Sequence, residues 1–122
     1  MVALAGTVAL AAEIDLSDFD DDLMRSMDDS IKDLEPTLAA GNAQSAPTDV
    51  AVIEDGLKWT LDYFTKKGNA DDAVKFARDS LQQVGVVQKE LASNNLPSAA
   101  AAARALAKSC KACHDVYKPL TK

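Results

Sequence analysis

Apolar positions recur in steps of three and four along most of the chain, the period of an α-helix with one buried face. The first stripe is Phe19, Leu23, Met27, Ile31, Leu34 and Leu38, with Met24 beside it. Ser17 precedes it and Asp20 follows three residues later, which predicts a helix N-capped by Ser17 in a capping-box-like pair. Asp18, Asp21 and Asp22 would face the positive end of its dipole. Pro36 is expected to bend or end this helix, and Gly41 and Asn42 open a loop that runs to Pro47.

A second stripe follows from Pro47: Val50, Ile53, Leu57, Leu61 and Phe64. Lys66 and Lys67 suit the negative end of that helix, and Gly68 suits its C′ position. A third helix is predicted from about Asn69, with Val74, Ala77, Leu81, Val84, Val87 or Gln88, and Leu91 on one face. It fades in Ser93, Asn94 and Asn95. The fourth starts at about Pro97, a favoured first-turn residue. It passes through an alanine-rich half into Leu106, Cys110, Cys113 and Tyr117, and Pro119 closes it. Four amphipathic helices on short loops predict an all-α fold, an up-down-up-down antiparallel four-helix bundle spanning residues 13–122.

Composition agrees. The chain has 122 residues, enough for one core, and is 48% hydrophobic but only 5% aromatic, with five Gly and four Pro. Acids gather on the first helix, including Asp18, Asp20, Asp21, Asp22, Asp28, Asp29 and Asp33, and Arg104, Lys108, Lys111 and Lys118 lie on the last. Complementary faces would favour packing these two helices together, although exposed pairs contribute only ~0–1 kcal/mol each. Two solvated faces explain the same pattern. A formal net charge of −6 speaks against nucleic acid as a partner and for a protein with a basic docking face. No apolar run reaches the roughly 20 residues of a membrane span. Residues 2–12 are uncharged and mostly small, with an Ala-x-Ala-type site at Ala9–Ala11 but no basic segment before them. Residues 1–12 thus read either as a truncated signal peptide or as an apolar N-terminal arm.

The chemistry sits near the C-terminus. Cys110, Lys111, Ala112, Cys113 and His114 read C-x-x-C-H, the attachment sequence for one covalently bound haem c. Two thiols a helical turn apart can add to the two vinyl groups on one porphyrin edge. The histidine that follows can then place an imidazole nitrogen on the iron as proximal ligand. Rival readings fare worse. A thioredoxin-like pair belongs beside a βαβ pattern, which is missing here. Zinc asks for about four N/S ligands, and the chain has two Cys and one His. Cys residues three apart on a helix have poor disulfide geometry. Haem c attachment also points to an exported bacterial protein of the periplasm.

The bundle topology sets the start of the first helix beside the end of the fourth. Met24 lies roughly 9 Å into the first helix and His114 roughly 6 Å from the end of the last, at about 1.5 Å per residue. A haem held by His114 would turn its other face toward Met24. A thioether there would raise the reduction potential and close the iron to outside ligands. The plainer reading makes Met24 a core residue. Met27 and Ile31 would line the pocket, and Tyr117, one turn after Cys113, would cover the haem edge. Trp59 and Tyr63 are expected to pack on the core or an interface.

Residues 109–118, Ser-Cys-Lys-Ala-Cys-His-Asp-Val-Tyr-Lys, resemble the C-terminal haem motif of the cytochrome c prime family. The resemblance implies a periplasmic four-helix bundle with its haem in the last helix. It covers residues 17–118 by helix order, and in the first helix it puts Met24 at the family's distal position, with Met27, Ile31 and Pro36 matching neighbours. That helix is also similar to the one in the soluble periplasmic b-type four-helix cytochrome, which implies His114 and Met24 as iron ligands. Low-spin members of the c prime family use a Met in the same way. Many members carry a basic residue one turn before the distal position, near a propionate. This chain has Asp20 there, and Arg25 is the nearby substitute.

Two functions follow. The first is a one-electron carrier with a His/Met-ligated, low-spin haem, which needs redox partner proteins and no catalytic acid, base or nucleophile. The alternative is a five-coordinate binder of NO or CO, for which Met24 stays unbonded behind an apolar pocket of Leu23, Met24, Met27 and Ile31. A peroxidase-like enzyme would need polar distal groups that this pocket lacks. The family resemblance implies a homodimer through the first two helices, which the acid load on the first helix opposes.

Overall fold

The structure, a computed structural model, describes residues 15–117. The apolar stretch 1–12, Lys118 and Pro119 lie outside the described residues. Four helices follow in order: α1 (Asp21–Ala39), α2 (Ala46–Lys67), α3 (Asp71–Ala92) and α4 (Leu96–Val116). Each packs on two neighbours in a ring, α1 on α2, α2 on α3, α3 on α4 and α4 back on α1. This is the antiparallel four-helix bundle expected from the stripes. α4 lies closest to α3 and least closely to α1.

The start of α1 differs from expectation. Asp20, not Ser17, is the N-cap, and its Oδ1 accepts the Leu23 N–H at 3.0 Å. The Ser17 N–H donates to Asp15 Oδ1 at 3.0 Å, and a turn closes between the Phe19 N–H and the Leu16 carbonyl at 3.0 Å. The reason is Phe19. Outside the helix it folds over the end of the bundle and is buried among α2 aromatics. Phe19 thereby precedes the cap and Met24 occupies the fourth helical position, and both belong to one packed cluster, as in a hydrophobic staple.

The other termini follow local chemistry. Pro36 sits in the last turn of α1, and the helix continues to Ala39 before Gly41 turns the chain at φ 80°. α2 ends at Gly68, φ 77°, whose N–H donates to the Phe64 carbonyl at 3.1 Å. α4 starts one residue before Pro97, capped by the Asn95 side chain.

The expected charge pairing of α1 with α4 shrinks to one ion pair among the described residues, Arg104 to Glu35 at 3.0 Å. Several other acids are taken up locally, whereas Asp18 pairs with Lys67 of α2 at 3.2 Å. Asp28 pairs with Lys32 and Asp22 with Arg25 on their own helix, and Lys111 pairs with Asp115 on α4. Flexible side chains meet a partner one turn away at a smaller entropic cost than one on another helix. No helix among the described residues is long and apolar enough to cross a membrane.

Candidate functional site

The last two turns of α4 carry Cys110, Cys113 and His114, all half-buried. Positions three and four apart on a helix share a face. Here that face lines a small apolar cavity of about 40 Å³ between all four helices. Both cysteines and His114 line it, and both thiols are free. Across the cavity the lining comes from α1: Met24, Met27 and Ile31. Chain topology therefore brings Met24 and His114 to one chamber.

The remaining expected residues divide. Ile31 and Met27 are buried on the α1 wall. Met27 lies flat against α2 because residue 56 is glycine. A Cβ on Gly56 would overlap the Met27 Sδ and Cγ, so the missing methyl is what seats that side chain. Tyr117 is buried but does not line the cavity. It packs behind Cys113 with Phe64 and Ala73, and its hydroxyl donates to Asp72 at 2.5 Å. Arg25 is paired with Asp22 on the exposed surface and does not reach the lining. Asp20 is occupied as the α1 cap, which gives the acid at that position a local purpose.

Five lining residues escaped the sequence reading, Ala73 and Ser80 of α3 among them. Phe76 on α3 lies one position off the apolar stripe, yet it borders the cavity. Thr60 on α2 turns its hydroxyl back to the Gly56 carbonyl at 2.8 Å, so it presents its methyl side with its polar atom satisfied. Asp28, grouped by sequence with a solvated acidic face, stands at the cavity edge. Its spacing from Met24 is the helical four, the signal that could have marked it.

Burial sets the electrostatics. It is the main cause that pushes the Cys110 thiol up to about 11, with Asp28 adding to it. Cys113 is pushed up to about 12, again by burial first and then by Cys110 and Asp72. Both thiols are neutral at pH 7. Burial also lowers the His114 pKa below its ordinary value, against the upward pull of Asp28 and Asp115. The imidazole is thus neutral and has a nitrogen lone pair free to donate.

The donor set can be tested against what the motif implies. No group of three or more Cys, His, Asp and Glu able to hold a metal ion occurs among the described residues, so a metal held by protein alone does not fit. A porphyrin would suit this donor set better, since it would bring four iron donors of its own and ask only one or two from the protein. One imidazole and one thioether line a common apolar chamber, with two thiols a turn apart at its edge. No protein-family model, curated protein or solved structure matches the chain.

Proposed function

We propose that the protein is an exported c-type cytochrome of the periplasm that carries one electron at a time. When bound, the haem would supply an iron that gains and loses a single electron without changing its ligands. Cys110 and Cys113 would hold it covalently, His114 would bind the iron from the α4 side and Met24 from the α1 side. One observation carries the reading: Met24 and His114, far apart in sequence, line the same apolar cavity as the two thiols.

The residues account for what such a carrier needs. Two free thiols a helical turn apart on the cavity wall match the two vinyl carbons of one porphyrin edge, and a neutral imidazole suits iron ligation. The Phe19 turn anchors the first turn of α1, and with it Met24. Met27, Ile31 and Leu57 keep the α1–α2 wall apolar and exclude water. The Asp28 carboxylate lies near His114 and stabilises positive charge there. The net charge of −6 suits a redox partner with a basic docking face.

A pyridine haemochrome assay on the matured protein, read with its ferric spectrum, tests this. The expected result is one haem c per chain, low-spin, with a far-red methionine-to-iron charge-transfer band. A colourless protein would end the proposal. A high-spin spectrum with rapid CO uptake on reduction would move it to a five-coordinate NO or CO binder.

A further inference from the structure

Electron carriage as proposed uses no aromatic side chain, yet the aromatic residues form a connected path beside the cavity. Trp59, 36% exposed, stacks on Tyr63 with centroids 5.3 Å apart and 18° between the ring planes. Phe19 sets an edge against both, 4.9 Å from each. Tyr63 meets Phe64 at 5.1 Å, and Phe64 meets Tyr117 at 5.3 Å. Tyr117 is 1% exposed, and its N–H donates to the Cys113 carbonyl at 2.9 Å. The rings thus run in contact from solvent to the wall that carries the thiols.

Both phenols on this path donate to a carboxylate. The Tyr63 hydroxyl bonds Asp18 Oδ1 at 2.5 Å, and the Tyr117 hydroxyl bonds Asp72 Oδ1 at 2.5 Å. These bonds matter for oxidation. A phenol that loses an electron becomes a strong acid, so its oxidation is costly unless a base already holds the proton. An indole tolerates the loss without a base. Phe64 is too hard to oxidise and serves as a short bridge between the two phenols.

We propose that Trp59, Tyr63 and Tyr117 form a hole-transfer path between the surface and the cavity wall, with Asp18 and Asp72 as the proton acceptors of the two phenols. A peroxyl radical at the surface takes one electron from Trp59 and, with a solvent proton, becomes a hydroperoxide. The indole radical cation takes an electron from Tyr63, whose proton passes to Asp18. Tyr63 then takes an electron from Tyr117 through Phe64 and recovers its proton from Asp18, while the Tyr117 proton passes to Asp72. The net result is one oxidant reduced and one buried tyrosyl radical, with no atom lost from the chain. Only the final electron, returned to Tyr117 with the proton held on Asp72, rests on the proposed haem.

The chain has two Tyr and one Trp, so single substitutions assign every radical. The full-length protein is photo-oxidised with ruthenium tris-bipyridine and a cobalt(III) ammine acceptor, frozen, and read by electron paramagnetic resonance. The expected signal is a tyrosyl radical on Tyr117, which is too buried for collision with the oxidant. Tyr117→Phe should move the radical to Tyr63. Trp59→Phe combined with Tyr63→Phe keeps ring packing and should remove the Tyr117 radical. Asp72→Asn, with the ring intact, should lower the Tyr117 radical yield about a hundredfold, the scale of a lost general base. A Tyr117 radical that survives loss of both Trp59 and Tyr63 would overturn the path, as would wild-type radicals confined to those two residues. A colourless protein that still forms the Tyr117 radical upholds the path and removes the haem reading; a haem protein that forms none does the reverse.

Discussion

The two ends of the bundle are built from different residues. At one end, the second half of α1 and of α3 and the first half of α2 and of α4 close on Leu34, Leu38, Ala46, Val87, Ala99 and Ala103, all almost wholly buried. Small alanines let α4 approach α3 closely. The other end holds the six aromatic residues, long methionines and the cavity. Most of the rings pack to one side there, and a small cavity lined by the thioethers is left between the helices. The closed end supplies stability, and the open end can therefore keep a chamber. The substitutions below break or sharpen that contrast.

The largest effect is expected from replacing Cys110 and Cys113 together by alanine. Covalent haem should fall to nothing in the haemochrome assay, while helical circular dichroism persists because the closed end is untouched. Loss of the fold instead would mean that the two ends are not separable. Met24→Ala should come next. It should turn a low-spin spectrum high-spin, open the iron to CO and lower the reduction potential. An unchanged spectrum would reassign Met24 to packing.

Truncations should then grade with the end in which they fall. Leu34→Ala creates a new cavity in a closed region and should cost about 3 kcal/mol in urea denaturation. Met27→Ala borders space that is already open, so it adds little new cavity and should cost only about 1–2 kcal/mol. Equal costs would remove the distinction between the ends.

The smallest effect belongs to a flaw in the closed end. Asp49 on α2 is pushed up to about 6, by burial first and then by its contact with Asp33 on α1. Its Oδ2 is buried and has no donor partner, which a proton shared between the two carboxyls would supply. The folded-state pKa is raised above the ordinary 3.8, so the folded protein holds this proton more tightly than the unfolded chain. The resulting stabilisation is complete below about pH 4 and is lost as pH rises through about 6. Asp49→Asn supplies the donor permanently and should stabilise the protein at pH 7 by about 1 kcal/mol, after discounting for solvent screening. The gain should vanish near pH 4, and a gain that is independent of pH would refute the shared proton.

Much of the helical layout is readable in the sequence, because one buried stripe per helix imposes a period that residues such as Ile53, Val84 and Leu106 display directly. The start of α1 was less readable. Ser17 and Asp20 are both good caps, and the choice fell to where Phe19 could be buried. Interhelical charge pairing was unreadable for a similar reason, since a lysine such as Lys111 finds Asp115 on its own helix before it finds another.

By itself, the sequence determined the helices, their order and the spacing of two thiols and one imidazole on a single face, since all of these are local along the chain. Topology read from the sequence already set Met24 and His114 at one end of the bundle; only the tertiary structure decided that Asp28 and Phe76 border the chamber they line, and that five rings run in contact from the surface to Tyr117 behind Cys113. Those facts depend on how far each helix rotates and how closely it approaches its neighbours. Rotation and approach are set by the side chains of all four helices at once, by alanines at one end and aromatics at the other, and no single stretch of chain encodes them.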